Sequence, residues 1–374
     1  EDAVIYQVFI DRFAGFDDKS NWHNPEFVGG DIQGIIDKLD YIEKLGVDVL
    51  WISPFYQGES YHGYHITDMF SVDDNFGDEE DLKELIDEVH SRDMRIIADF
   101  VPNHVSVEHE YFKDAQSNPA SDYRDWFYFN DWPDDFLSFL DFDDFLVKLN
   151  LENPEAREHV LDAAEKWVGM GLDGFRVDHV IGVPDSFWRD LEERIGDDKV
   201  LIGEAVLRGV GRKHLDTLKA GNIGLFITLK AQGLLQRHYK GLMDGVLDFK
   251  GLEILYRVLN SSWIPSSLAE NLFNIHQKFY PENFLLANFL DNHDMDRALY
   301  RFNNDKEKFK QAYRILLENK QPTIIYYGDE IGMTQSHSIH DFEKHGDLQA
   351  RQPMKWNDKD KELLKFFQNQ IKDS

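Results

Sequence analysis

The sequence predicts an α/β fold, a (β/α)8 TIM barrel with a small inserted subdomain after the third strand. Three observations carry that expectation. Short apolar, strand-like runs alternate with helical patterns along most of the 374 residues, as in parallel strands joined by helices. Eight such units can be counted, the number that closes a barrel. One stretch, 105–150, breaks the rhythm with aromatics, Asp and Pro, and so long a connection in a compact domain is usually functional.

The elements follow in order. Residues 4–10 form the first strand, and Ile35, Ile36, Leu39, Ile42 and Leu45 recur at helical spacing over 34–45. Residues 47–53 are the second strand, and 78–91 an acidic helix with Leu82, Leu85, Ile86 and Val89 on one face. The third strand, 94–101, runs into Pro102, Asn103 and His104. After the insert a helix begins at Pro154, a residue suited to a first turn. Strands are expected at 174–177, 200–204, 244–249, 284–290 and 323–327. Helices are expected at 185–194, 251–259, 305–317 and 358–371, with 207–240 helical and irregular. The division is therefore 1–104 and 151–374 for the barrel and 105–150 for the insert.

Seventy acidic against forty basic residues leave a net charge of −30. Such a surface repels nucleic acid and anionic lipid and points to a neutral or cationic substrate. The excess serves solubility on the plain reading and tolerance of high salt on the sharper one. With no cysteine, disulfides and thiol catalysis are excluded, while the compartment stays open. No apolar run approaches the roughly 18 residues of a membrane span. Oligomeric state and localisation are not legible.

In barrels of this kind chemistry sits at the C-terminal ends of the strands. There the third strand offers Asp99, Asn103 and His104, the fourth Arg176, Asp178 and His179, the fifth Glu204, and the seventh His293 and Asp294. Arg176 and Asp178 are two apart in a strand, so they share a side, and a guanidinium there keeps the carboxylate ionised. Any one of these residues is more often structural than catalytic. Their convergence on one set of strand ends is not expected of structure alone. Carboxylates without a thiol, a P-loop or an HExxH pattern suit glycoside hydrolysis, which sets an acid and a nucleophile across an acetal. Tyr61, Tyr64, Trp126 and Trp132 suit stacking on sugar faces or core packing equally.

These stretches resemble the alpha-amylase family of retaining glycosidases (glycoside hydrolase family 13). Asp99-Phe-Val-Pro-Asn-His104, Gly174-Phe-Arg-Val-Asp178, Gly203-Glu204 and Phe289-Leu-Asp-Asn-His-Asp294 are similar to its four hallmark stretches, in order. Tyr6 to Phe13 and Pro322 to Glu330 are similar to its first and eighth units. The resemblance implies Asp178 as nucleophile, Glu204 as acid/base and Asp294 as transition-state stabiliser. It implies sugar-binding roles for Tyr64, His104, Arg176 and His293 and a supporting one for Asp99. The implied activity is endo-hydrolysis of α-1,4-glucosidic bonds in starch-like α-glucans and maltooligosaccharides, without an organic cofactor. Cyclomaltodextrinase, neopullulanase or glucanotransferase activity is the alternative, and a non-catalytic carbohydrate-binding relative the different-class one.

Departures from the family pattern bear on metal and specificity. Lys148 stands where many amylases have a calcium-binding Asp that works with Asn103, so an ammonium can take the cation's place. Ile181 and Gly182 replace a usual Lys-His pair, a feature that, with Lys148, resembles neopullulanases and cyclomaltodextrinases. A second calcium loop is suggested by Asp17, Asn21, Gly29 and Asp31, whose hard oxygen donors suit Ca²⁺. The family's usual C-terminal β-domain is not read in this sequence.

Overall fold

The computed structural model describes residues 2–16, 21–139, 145–207, 221–341 and 345–373. Eight parallel strands form one sheet: β1 (Val4–Val8), β2 (Val49–Ile52), β3 (Arg95–Phe100), β4 (Gly174–Val177), β5 (Val200–Gly203), β6 (Gly245–Leu247), β7 (Leu285–Ala287) and β8 (Thr323–Tyr326). Their order is β7-β6-β5-β4-β3-β2-β1-β8, so strands adjacent in sequence are adjacent in the sheet. A parallel bridge from Asn288 to Thr323 joins the remaining two edges, and the sheet is the predicted barrel. The chain packs as two compact units.

The first unit comprises Glu1–Ser53, Asp74–Ile97 and Leu247–Ser374. All five residues of β1 are buried, and the polar one among them, Gln7, interrupts an otherwise apolar run. The predicted helix over 34–45 is two helices, Ile32–Ile36 and Leu39–Leu45, because the chain leaves helical geometry at Lys38. Asp31 caps the first, its carboxylate accepting the Gly34 N–H at 2.6 Å. Glu79–His90 forms as expected, opened by a capping box of Asp78 and Asp81. The longest helix of this unit that was not anticipated is Ala269–Gln277, which buries Ala269, Phe273 and His276. Its apolar residues are split between a buried and an exposed face, and that blurs the periodicity.

The second unit comprises Pro54–Asp73 and Ala98–Val246. It opens with an unpredicted antiparallel hairpin, Tyr56–Gly58 with Ile66–Val72. Within the insert, His104–Ser106 pairs antiparallel with Leu146–Lys148, placing His104 opposite Lys148. Trp126 is the centre of the insert's aromatic core, with ring centroids 5.4 Å from Tyr111, 5.0 Å from Tyr123 and 5.2 Å from His159. Trp132 donates its indole N–H to the Ala115 carbonyl at 2.9 Å and stacks beneath Arg124. Trp126 and Tyr61 are buried, while Trp132 is only half-buried. Pro154–Met170, capped by Asn153, and Asp185–Ile195 flank β4 in sequence. Of the irregular stretch 207–240, Gly221–His238 is helical and 208–220 lies outside the described residues. Among the described residues no helix is long and apolar enough to cross a membrane.

Candidate active site

The second unit gathers four of the predicted residues around one guanidinium. β4 lies close to β5 because its first residue is Gly174, at φ +147, where a Cβ would come within 2.1 Å of the Val200 carbonyl oxygen. Register then sets Arg176 opposite Asp99 of β3 and Ile202 of β5. Arg176 is fully buried, and its Nη1 contacts both Asp99 and, at 3.0 Å, Asp178 Oδ1. Its Nη2 reaches Glu204 Oε1 at 2.9 Å, while Glu204 Oε2 accepts the backbone N–H of His179 at 3.2 Å. Burial alone pulls the guanidinium toward neutrality, but Asp99, Glu204, Tyr64 and Asp178 outweigh it and hold the charge. One fixed cation thus presents a separate nitrogen to each of two carboxylates that begin from adjacent strands. Asp178 and Glu204 are only 6% and 8% exposed, which keeps bulk water from screening them. Tyr64 sits beside this group, its hydroxyl 3.5 Å from Arg176 Nη1.

His104, also in this unit, is buried and stacks on Phe139 with centroids 4.3 Å apart. Burial, helped by the neighbouring His179, His65 and Lys148, pushes its pKa far below the usual imidazole value, so the ring is neutral. Its Nε2 has no hydrogen-bond partner among the described residues. His179 adopts a left-handed backbone at φ 41, and burial lowers its pKa to about 4.

The two departures noted at Lys148 and Gly182 prove to be one feature. Lys148 Nζ donates to Asn103 Oδ1 at 2.7 Å and to the Gly182 carbonyl. A Cβ on residue 182 would lie 2.0 Å from Asn103 Oδ1 and 3.0 Å from Lys148 Nζ, so the ammonium requires glycine there. Burial lowers the Lys148 pKa to about 8. The oxygens that would face a calcium ion at Asn103 already face a cation carried by the chain, and this donor set does not fit the metal.

In the first unit, His293 and Asp294 form a second group. His293 is buried, with Gln7 Nε2 at 3.1 Å from its Nδ1 and Asp294 Oδ2 at 3.1 Å from its Nε2. Arg351 Nη2 holds the other Asp294 oxygen at 2.7 Å, and its Nε donates to the His293 carbonyl at 3.0 Å. The Asp294 side chain is 47% exposed, accessible to a ligand yet held from both sides. Sequence reasoning missed Gln7 and Arg351. The polar break in the β1 run was a signal for Gln7, and the family-like stretch 351–356 was one for Arg351.

Of the proposed calcium loop, Asp17 lies outside the described residues. Asn21 accepts the His23 N–H at 3.2 Å, Asp31 caps a helix, and Gly29 donates its N–H to Asp11 at 3.0 Å. Asp11 is the buried carboxylate of this corner, paired with Arg12 at 2.8 Å. Among the described residues no group of three or more His, Cys, Asp or Glu could hold a metal ion.

Residues 7–205 and 257–367 match the family model described as alpha amylase, catalytic domain. The chain belongs to the alpha-amylase family. Within it, the chain is similar to alpha-amylase 2 of Dictyoglomus thermophilum, 33% identical over 100% of this chain and 63% of that protein. It is similar to neopullulanase 2 of Thermoactinomyces vulgaris, 31% identical over 100% of this chain and 62% of that protein. The chain thus spans somewhat under two thirds of these relatives' length. A solved relative is the cyclic alpha-maltosyl-(1→6)-maltose hydrolase of Arthrobacter globiformis, TM-score 0.81 and 27% identical, covering 99% of this chain and 82% of that one.

Proposed function

We propose that this alpha-amylase family member is a retaining glycoside hydrolase acting on α-1,4-glucosidic bonds of cyclic and short α-glucans. The observation that carries the chemistry is the Arg176 clasp, two carboxylates on two nitrogens of one guanidinium. Carboxyls so held suit the close spacing, about 5–5.5 Å, of a retaining pair rather than the wider gap that admits water between them. Asp178, fixed as an anion by Arg176, attacks the anomeric carbon and forms a glycosyl ester. Glu204 donates its proton to the leaving oxygen and then takes one from water. Asp294, oriented by His293 and Arg351, stabilises the oxocarbenium-like ring. His104, neutral and with a free Nε2, hydrogen-bonds sugar hydroxyls, and Tyr64 offers a stacking face.

The preference for cyclic and short glucans over endo-attack on starch is supported by the names of the relatives and by the Lys148–Gly182 departure. No step needs a metal. Product analysis on β-cyclodextrin, pullulan and soluble starch tests the reading. Faster turnover of β-cyclodextrin and release of panose or maltose are expected. Long-chain starch consumed faster than cyclodextrin returns the enzyme to the endo-amylase reading.

A further inference from the structure

The first unit buries a second pair of carboxyls that the proposed chemistry does not use. Asp291 ends the approach to the His293–Asp294 loop, and Asp329 lies in the turn after β8. Both are fully buried, and the two carboxyl groups lie near enough to influence each other's titration. One oxygen of each is satisfied: Asp291 Oδ2 accepts the Ala298 N–H at 2.7 Å, and Asp329 Oδ2 accepts the Tyr313 hydroxyl. The other oxygen of each, Oδ1, has no donor among the described residues.

The nearby cation does not fill that gap. Arg297 is fully buried, but its Nη1 lies 3.9 Å from Asp329 Oδ1 and donates instead to the Tyr327 carbonyl at 2.5 Å. Its plane rests on Tyr326 and Tyr327, with centroids at 4.3 and 4.8 Å. The other groups that face the pair are Tyr256, Tyr313, Arg301 and Glu253. Burial keeps both phenols protonated, and Arg301 is paired with Glu253 at 3.1 Å. Two ionised aspartates against Arg297 would leave one net negative charge in a buried site, with an acceptor oxygen on each that meets no donor among the described residues. A single proton neutralises the cluster and turns one acceptor into a donor.

We propose that Asp291 and Asp329 share one proton at neutral pH, and that this O–H···O bridge positions the loop that carries His293 and Asp294 by tying it to the turn after β8. The importance of that loop to turnover rests on the reading of Asp294 as stabiliser; the shared proton does not. Burial raises both carboxyls above their ordinary range, Asp329 most strongly, and the two titrate as a pair. The native chain therefore holds a proton that the unfolded chain gives up. Stability from the bridge is fully present below the unfolded carboxyl value and is lost as pH rises through the raised native one.

Infrared difference spectra of the whole chain at pH 7 test this directly. In the wild-type-minus-Asp329→Asn difference a protonated-carboxyl C=O band is expected on the wild-type side. The amide of Asp329→Asn can donate to Asp291, so this variant should keep its thermal midpoint at pH 7 and lose the decline in stability on the alkaline side. Asp329→Leu supplies no donor. It should melt lower and lose kcat more than KM, and Asp329→Asn should recover most of that kcat. Asp291→Asn is the reciprocal variant should the first not fold, with the same band lost. Absence of the band in the wild type, or parallel stability-against-pH curves for wild type and Asp329→Asn, overturns the shared proton. A wild type with the band but no glucan turnover overturns the functional reading instead.

Discussion

Two buried arginines, Arg176 and Arg297, solve the same problem in opposite ways. Each is fully buried near acidic side chains. Arg176 spends its nitrogens on Asp99, Asp178 and Glu204 directly, so the cluster is held by charge. Arg297 turns its face to two tyrosine rings and its Nη1 to a carbonyl, leaving the nearby aspartates to a proton. The difference is one of purpose. A carboxylate that must attack has to stay ionised, and a guanidinium at contact distance favours that form. Carboxyls that only tie two loops together are better neutral, because a neutral bridge costs less to bury.

The comparison can be broken experimentally, most severely at the reacting carboxylates. Asp178→Asn and Glu204→Gln should each lower kcat on β-cyclodextrin by about 10³-fold or more while the chain stays folded, measured with thermal melts alongside. Near-normal turnover in either would remove the Arg176 cluster from the chemistry. Next in size is Arg176→Met, which removes the cation facing three buried carboxylates and should destabilise by about 3–5 kcal/mol in denaturant unfolding. Arg176→Lys should recover little, since one ammonium cannot span the positions reached by the two guanidinium nitrogens.

Lys148 is a smaller, third case, a part-buried cation held by an amide oxygen and a carbonyl. Lys148→Met removes two hydrogen bonds and should cost about 1–3 kcal/mol. EDTA and added Ca²⁺ should both leave the wild-type melting temperature unchanged; a shift of several degrees would restore metal to the site. Because burial depresses the Lys148 pKa to about 8, the wild type should gain stability relative to Lys148→Met as pH rises from about 8 toward the ordinary lysine value, and lose it as pH falls through 8. The smallest effect is expected at Arg351. Its pair with the half-exposed Asp294 is worth roughly 0–1 kcal/mol, so Arg351→Gln should barely move the melting temperature. A several-fold fall in kcat is nonetheless expected, from a looser Asp294.

Much of this was legible in the sequence because the barrel repeats one local rule. Each strand is a short apolar run, and the residues at its end are polar, so Asp178, Glu204 and His104 could be found by counting. Lys148 was legible as an anomaly, although its dependence on Gly182 was not, since the contact from Lys148 Nζ to the Gly182 carbonyl joins residues 34 apart in sequence. Long-range partners stayed hidden for the same reason. Nothing near Arg351 in sequence announces Asp294, and nothing near Asp329 announces Asp291. The hairpin after β2 was missed because its strand Tyr56–Gly58 has three residues, too few to show a period.

The most direct test of the central claim is to trap the intermediate. Incubation with a fluorinated α-glucosyl fluoride, which forms the glycosyl ester faster than water removes it, should add one sugar per chain. Peptide mass spectrometry should place that sugar on Asp178, and Glu204→Gln should still accept it because the fluoride leaves without an acid. A sugar on any other carboxylate, or none on an enzyme that turns over glucan, would contradict the assignment of Asp178 as the nucleophile.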